Sequence, residues 1–156
     1  MTRWLSADEQ RAWLAYLAAS ELLMASLDAQ LQRDAGMPHA YYAILAQLSS
    51  APDRTRRMSE LASVVNASPS RLSHAVGRLE ERGWVERRQC VEDRRGTLAC
   101  LTDEGFAVLE RAAPGHVAAV RAALFDVLAP EQVQQLEEIC EAVLARLDPA
   151  GHHRLG

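Results

Sequence analysis

The chain has 156 residues, a formal net charge of −4, 49% hydrophobic and 24% charged side chains, a balance that excludes wholesale disorder and suits one compact subunit with a small core and an added association region. No apolar run is long and charge-free enough to span a membrane, and residues 1–6 lead into a charged segment rather than the apolar stretch of a secretory signal, so the chain is expected in the cytoplasm. The acidic average disfavours a polyanionic partner only until the charges are placed: residues 54–95 hold ten arginines against six acids, and the remainder holds seven against fifteen.

Ser6 with Glu9 makes a capping box that opens a long helix over about residues 7–34, closed by Gly36. From Ala12 to Ala19 only Tyr16 interrupts a run of apolar side chains, and Leu22, Leu23, Met24 and Leu27 continue it. A helix this apolar needs a second packing face, which a partner chain can supply. Pro38 starts a second helix to about Ser49 with His39, Tyr41, Tyr42, Ile44 and Leu45 along it. Trp13, Tyr16, His39 and Tyr42 form a candidate ligand-binding set, with core packing of aromatics as the competing reading. Residues 50–57, with Pro52, read as a loop, and residues 56–58 can add a short strand to the hairpin that follows.

Residues 59–82 carry two short helical patterns joined by a tight polar turn. In the first, Leu61, Val64 and Val65 recur at helical spacing behind Ser59 as N-cap, and Asn66 supplies a left-handed stop. Ser68 caps the second, with Pro69 at the first helical position, where a missing N–H costs nothing. Leu72, Ala75, Val76 and Leu79 form its apolar stripe, leaving Ser70, Arg71, His74, Arg78 and Glu81 on the open side, and Gly83 ends it. An open face that is small and polar, bears an arginine near its start and lacks large apolar residues suits the major groove of DNA, and the helix N-terminus favours phosphate. An ordinary solvated helix in an α-hairpin shares the same pattern.

The next stretch favours DNA. Trp84, Val85 and Val91 on one side and Leu98 and Leu101 on the other flank Glu92-Asp93-Arg94-Arg95-Gly96, a charged hairpin tip suited to phosphate or the minor groove. Asp93 amid arginines orients them rather than acting in catalysis. The expected DNA-binding set is therefore Ser68, Ser70, Arg71, Ser73, His74, Arg78, Asp93, Arg94 and Arg95. Thr102 then caps a helix with Asp103 and Glu104 in its first turn, Pro114-Gly115 predicts a kink or break before that helix resumes to Leu128, and Pro130 starts the last helix. Val133, Leu136, Ile139, Val143, Leu144 and Leu147 keep a helical period there and need a partner surface, most simply a second copy of the chain. The tail from Asp148 is expected to fray.

Ser59-Glu60-Leu61-Ala62, Ser70-Arg71-Leu72-Ser73, Leu79-Glu80-Glu81-Arg82-Gly83-Trp84-Val85, Asp93-Arg94-Arg95 and Leu101-Thr102-Asp103-Glu104-Gly105 resemble, in order and spacing, the MarR-type winged helix-turn-helix regulators. The resemblance covers nearly the whole chain. It implies a mainly α fold with a small β wing, a homodimer joined through the terminal helices, and a DNA-binding transcriptional regulator, usually a repressor relieved by a small ligand or by oxidation. In these terms residues 1–49 are N-terminal dimerisation and linking helices, residues 50–102 the winged helix-turn-helix region, and residues 103–150 C-terminal dimerisation helices of one subunit. The implied partners are a pseudo-palindromic double-stranded operator, a second copy, and a small aromatic or lipophilic effector.

No cofactor, bound metal or catalytic residue is expected: there is no Gly-rich phosphate loop, no nucleophile elbow and no His-Cys-acid grouping at metal spacing. Cys90, Cys100 and Cys140 are an odd set without a metal-ligand pair and read as small packed thiols. Family members that sense hydroperoxides carry a reactive cysteine in the first helix, and none stands there. Two alternatives stay open: a redox- or metal-responsive regulator of the same fold, and a helical dimerisation protein that does not bind DNA.

Overall fold

The computed structural model describes residues 1–90 and 96–153. The first helix, α1 (Ala7–Ala35), starts on the expected capping box, with Ser6 Oγ accepting from the Glu9 N–H at 3.2 Å and Glu9 Oε2 accepting from the Ser6 N–H at 2.7 Å, and ends on Gly36 at φ +63°. Its 29 residues span about 43 Å. Only Leu27, Gln30 and Leu31 near its C-terminal end are buried, whereas Trp13, Leu14, Tyr16, Leu22 and Met24 are exposed in the single chain. Helix α2 (His39–Ser49) follows, entered through Pro38, which offers no side-chain cap. The missing cap comes from α1, where Asp28 Oδ1 accepts from the His39 N–H at 2.8 Å.

Strand β1 (Thr55–Arg57) runs directly into α3 (Met58–Val64). The strand anticipated at residues 56–58 therefore lies one residue earlier. Ser59 does not cap α3: pairing with the hairpin keeps the chain extended to Arg57, which becomes the N-cap without a side-chain bond, and Ser59 falls inside the first turn. Asn66 stops the segment at φ +50°. Helix α4 (Pro69–Glu81) begins as expected, with Ser68 Oγ accepting from the Arg71 N–H at 3.3 Å and Pro69 in the first turn.

Strands β2 (Val85–Gln89) and β3 (Thr97–Leu101) pair antiparallel, Val85 opposite Leu101 and Gln89 opposite Thr97, and β1 joins the other side of β3 to give the order β1-β3-β2 among the described residues. Leu72, Val76 and Leu79 meet Leu45, Leu48 and Leu61 in a continuous core that Val85, Ala99 and Leu101 close from the sheet side. Each fully buried Leu or Val contributes about 1.5–3 kcal/mol, so this small core fixes the pose of α4 on the sheet.

Helix α5 (Asp103–Ala123) is capped by Thr102 Oγ, which accepts from the Gly105 N–H at 3.0 Å. The break expected at Pro114-Gly115 does not occur. Proline removes one N–H that would meet the Glu110 carbonyl; Glu110 and Pro114 are both exposed, so water can take that carbonyl, and α1 packed along α5 holds both halves in line. The helix ends at Ala123, short of the expected Leu128, and a 3₁₀ turn at Phe125–Val127 leads into α6 (Pro130–Leu147), inclined at 106° to the preceding helical segment. No residue of α6 is buried, and Ile139, Val143 and Leu147 stand exposed. The tail does not fray over residues 148–153: the buried Asp148 accepts from the His153 N–H at 2.7 Å and meets both imidazoles, His152 Nδ1 at 3.3 Å and His153 Nδ1 at 3.2 Å. Among the described residues no single helix is long and apolar enough to cross a membrane.

Candidate nucleic-acid interface

The apolar stripe of α4 turns its opposite face to solvent, and Ser68, Ser70, Arg71, Ser73, His74 and Arg78 are all exposed. They share one helix and the loop that caps it, so the structure brings them together. The Arg71 guanidinium and the His74 ring have no side-chain partner among the described residues, whereas Arg78 Nη1 donates to Glu81 Oε2 at 2.9 Å. That carboxylate raises the Arg78 pKa further above its already high ordinary value, so Arg78 is a charge held along the helix rather than a free probe. Asp93, Arg94 and Arg95 lie outside the described residues.

Most of the other arginines counted as basic charge have structural work. Arg54 stacks 3.8 Å from the Phe106 ring and bonds Asp103 at 3.0 Å; Arg56 Nε donates to the Gln47 carbonyl at 3.0 Å. Arg82 lies 4.9 Å from the Trp84 ring and 5.7 Å from Tyr41 and donates to the Gly36 carbonyl at 3.2 Å, tying the end of α4 to the α1–α2 turn. Arg88 pairs with Glu86 beside it on β2. Arg87 reaches from β2 to α4, donating to Glu80 and Ser73. Sequence inspection overlooked this link, since strand residue and helix partners lie 7 and 14 positions apart and no local pattern joins them. The openly available cationic face is therefore narrower than the charge count implies.

Thr102 closes the base of the wing. Its N–H donates to the Trp84 carbonyl at 3.1 Å and its hydroxyl to the Gly83 carbonyl at 2.7 Å, so the start of α5, the end of α4 and the root of β2 meet at one point. A Cβ on Gly105 would stand 2.1 Å from the Trp84 carbonyl oxygen, which explains glycine at the end of the Leu-Thr-Asp-Glu-Gly segment.

The candidate ligand residues divide into two groups. Trp13 and Tyr16 stack on each other at 6.2 Å and are exposed, whereas His39 is bonded to Asp28, fifteen residues and about 22 Å further along α1. Within one chain they do not form one site with His39 and Tyr42, because a straight helix cannot fold its start onto its end. His39 and Tyr42 instead gather around His116 of α5, with ring centroids 5.5 Å and 4.4 Å away. Sequence reading missed His116, which carries no signal beyond being one histidine in a helix. Gln30 Nε2 donates to Asp34 Oδ2 at 3.0 Å, leaving Gln30 Oε1 to accept from His116 Nδ1 at 3.3 Å. Burial, and then the neighbouring imidazole, push His116 below the ordinary histidine value; burial does the same to His39 against the opposing pull of Asp28, and raises Tyr42. A cleft of about 370 Å³ lined by Asp34, Ala35, Trp84, Val108, Arg111 and Ala112 lies apart from His39, Tyr42 and His116, none of which lines it, and Asp34 on its wall accepts from Gln30 Nε2. Among the described residues no set of three His, Cys, Asp or Glu side chains is placed to hold a metal.

Residues 35–96 match the sequence model described as the MarR family. Sco3205, a MarR family transcriptional regulator from Streptomyces coelicolor solved in complex with DNA, is 55% identical, with 96% of this chain and 93% of that chain covered and a TM-score of 0.92. AbsC, a MarR family transcriptional regulator from the same organism, is 40% identical over 94% of this chain and 98% of that chain, with a TM-score of 0.88. The transcriptional repressor MprA of Escherichia coli (strain K12) is 30% identical over 113 residues, 72% of this chain, and the match spans 64% of the length of MprA.

Proposed function

The chain belongs to the MarR family of transcriptional regulators, and from that premise we propose that it is a homodimeric, sequence-specific DNA-binding regulator, a repressor released by a small ligand, acting in the cytoplasm and without enzymatic activity. The observation that carries this reading is the exposed, small and polar face of α4, with Arg71 and His74 uncommitted on a helix capped by Ser68. Such a helix can enter the major groove with its first two turns against base edges while its N-terminal N–H groups meet phosphate. The DNA-bound state of Sco3205 supports the same use of this fold.

A second copy supplies what the terminal helices lack. Trp13, Leu14 and Leu22 of α1 and Ile139, Val143 and Leu147 of α6 leave apolar surface that one subunit does not cover, and a two-fold pairing of those helices would bury it while presenting two α4 helices to one face of DNA. Effector release follows as differential affinity: a ligand at the His39–Tyr42–His116 group touches α1, α2 and α5 together and weakens DNA binding only as far as it prefers a dimer with mis-spaced reading helices.

Sequencing DNA fragments selected by the purified full chain tests the reading. The expected site is pseudo-palindromic, with half-sites about 10 base pairs apart. Failure to enrich any site, or enrichment of a site without two-fold symmetry, contradicts it.

A further inference from the structure

Resting on the DNA-binding reading above, we propose that Arg87 is a positioning residue: it clamps the wing to α4 at a set angle, and so fixes the offset at which helix and wing meet the same duplex. β2 forms one edge of the sheet among the described residues, and the Arg87 N–H donates to Glu80 Oε1 at 2.9 Å rather than to β3. Arg87 Nε donates to the other oxygen of the same carboxylate, Glu80 Oε2, at 2.7 Å. The far side of the guanidinium reaches Ser73, Nη1 to the hydroxyl at 3.3 Å and Nη2 to the carbonyl at 3.4 Å. Ser73 and Glu80 stand seven residues apart, two turns along one face of the helix, so a single strand residue grips α4 at both ends of that face.

Gly77 lies between them. A Cβ there would come 3.2 Å from Arg87 Nη2, tighter than ordinary van der Waals contact. Glycine is the poorest helix former after proline, and its place in the middle of α4 leaves the guanidinium room to lie flat along the helix. The clamp also gives Ser73 a second role, since its hydroxyl accepts from Arg87 Nη1 and still keeps its own O–H to donate.

An arginine on a wing strand has an obvious alternative use as a phosphate contact. Its geometry speaks against that: Nε, Nη1 and Nη2 each donate within the subunit, and the side chains of Arg87 and Glu80 are both 32% exposed. Reading heads tolerate misplacement of only about 0.5 Å, so a link that sets the helix-to-wing angle acts on specific binding far more than on general attraction to DNA.

The test compares Arg87→Met, Glu80→Gln and the double variant with wild type as full-length dimers, on the selected operator and on mixed DNA at several salt concentrations. The double variant keeps the wild-type net charge, so a change in overall charge does not account for any loss it shows. Each single variant is expected to lose about tenfold in operator affinity, with the double variant no worse than the singles because the residues act as one unit. Mixed-DNA affinity and the salt slope should stay near wild type. Arg87→Lys keeps the charge but cannot make the fork, and should fall between wild type and Arg87→Met; it also serves if Arg87→Met does not fold. A phosphate contact predicts the opposite pattern: equal loss on both DNAs, a salt slope shallower by about 2 per dimer for Arg87→Met, and tighter binding for Glu80→Gln. That pattern, or variants indistinguishable from wild type, overturns the inference alone. A wild-type protein that selects no DNA overturns the regulator reading and this inference with it.

Discussion

Gly105→Ala sets two physical effects against each other at a position where local propensity and tertiary packing disagree. Alanine is the better helix former by about 1 kcal/mol, so the start of α5 considered alone predicts stabilisation. The packing predicts otherwise: the new Cβ would stand 2.1 Å from the Trp84 oxygen, 2.8 Å from the Trp84 carbonyl carbon and 2.8 Å from Leu101 Cδ1. Two of those atoms are backbone at the root of β2, and no rotamer change relieves them. Sliding α5 away by about 1 Å would lengthen the bond from the Thr102 N–H to the Trp84 carbonyl, now 3.1 Å, and that from the Thr102 hydroxyl to the Gly83 carbonyl, now 2.7 Å, beyond useful length. Strain of about 1–3 kcal/mol and about 1 kcal/mol for each of the two weakened bonds outweigh the propensity gain, leaving a net loss of about 2–4 kcal/mol. For a chain of this size that lowers Tm by about 4–16 °C. Thermal unfolding should be followed at one fixed protein concentration, because the proposed dimerisation would make Tm depend on it. Gly115→Ala is the matched control on the same helix: its nearest neighbour, Gln30 Nε2 at 3.5 Å, is an ordinary contact, so this change should stabilise by about 0.4–1 kcal/mol. If Gly105→Ala unfolds at or above the wild-type temperature, the close approach does not constrain the wing root and the packing reasoning fails.

Arg71→Ala should cost about 1–3 kcal/mol per half-site and relax preference at particular base pairs; even loss across all sequences in a binding-site selection would show that Arg71 meets phosphate instead. Arg95→Ala, in the stretch that the sequence reads as a hairpin tip and outside the described residues, should weaken specific and non-specific DNA alike and shallow the salt slope of the dimer by about 2, which titrations at graded salt will measure. Because burial lowers His39 and His116 in the folded chain, the unfolded state binds more protons below about pH 6.5. Stability should thus be full above that value and fall as the pH drops toward the depressed folded values, and His116→Gln should flatten the drop in a pH series of unfolding curves. Leu147→Asp with Val143→Asp should convert the dimer to monomer in sedimentation at micromolar concentration, since both side chains stand on the uncovered face of α6; an unchanged dimer would move the interface elsewhere.

Elements whose ends are chemically marked were legible from the chain alone. Ser6 with Glu9, Ser68 with Pro69, Asn66, Gly83 and Thr102 each act through bonds or backbone angles within a few residues, so their effect depends little on what packs around them. The division of α4 into a buried stripe and an open face was legible for the same reason, because a 3.6-residue period is a local property. Tertiary structure decided the rest. Ser59 lost its expected cap because β1 pairs with a strand some forty residues later and carries extended backbone up to Arg57. Pro114 failed to break α5 because α1 lies along it, and a proline costs a helix only one bond when neighbours hold both sides in place. Trp13 and Tyr16 parted from His39 because an unbroken helix keeps its two ends apart, while His116, eighty-six residues from Gln30, came to that site from another helix. Arg87 is the sharpest case: composition counted it as one more charge for DNA, and the fold laid it across the surface onto Glu80 and Ser73. Charge is a property of the residue, but whether it faces a ligand or a neighbour depends on contacts between segments that the order of residues does not place side by side.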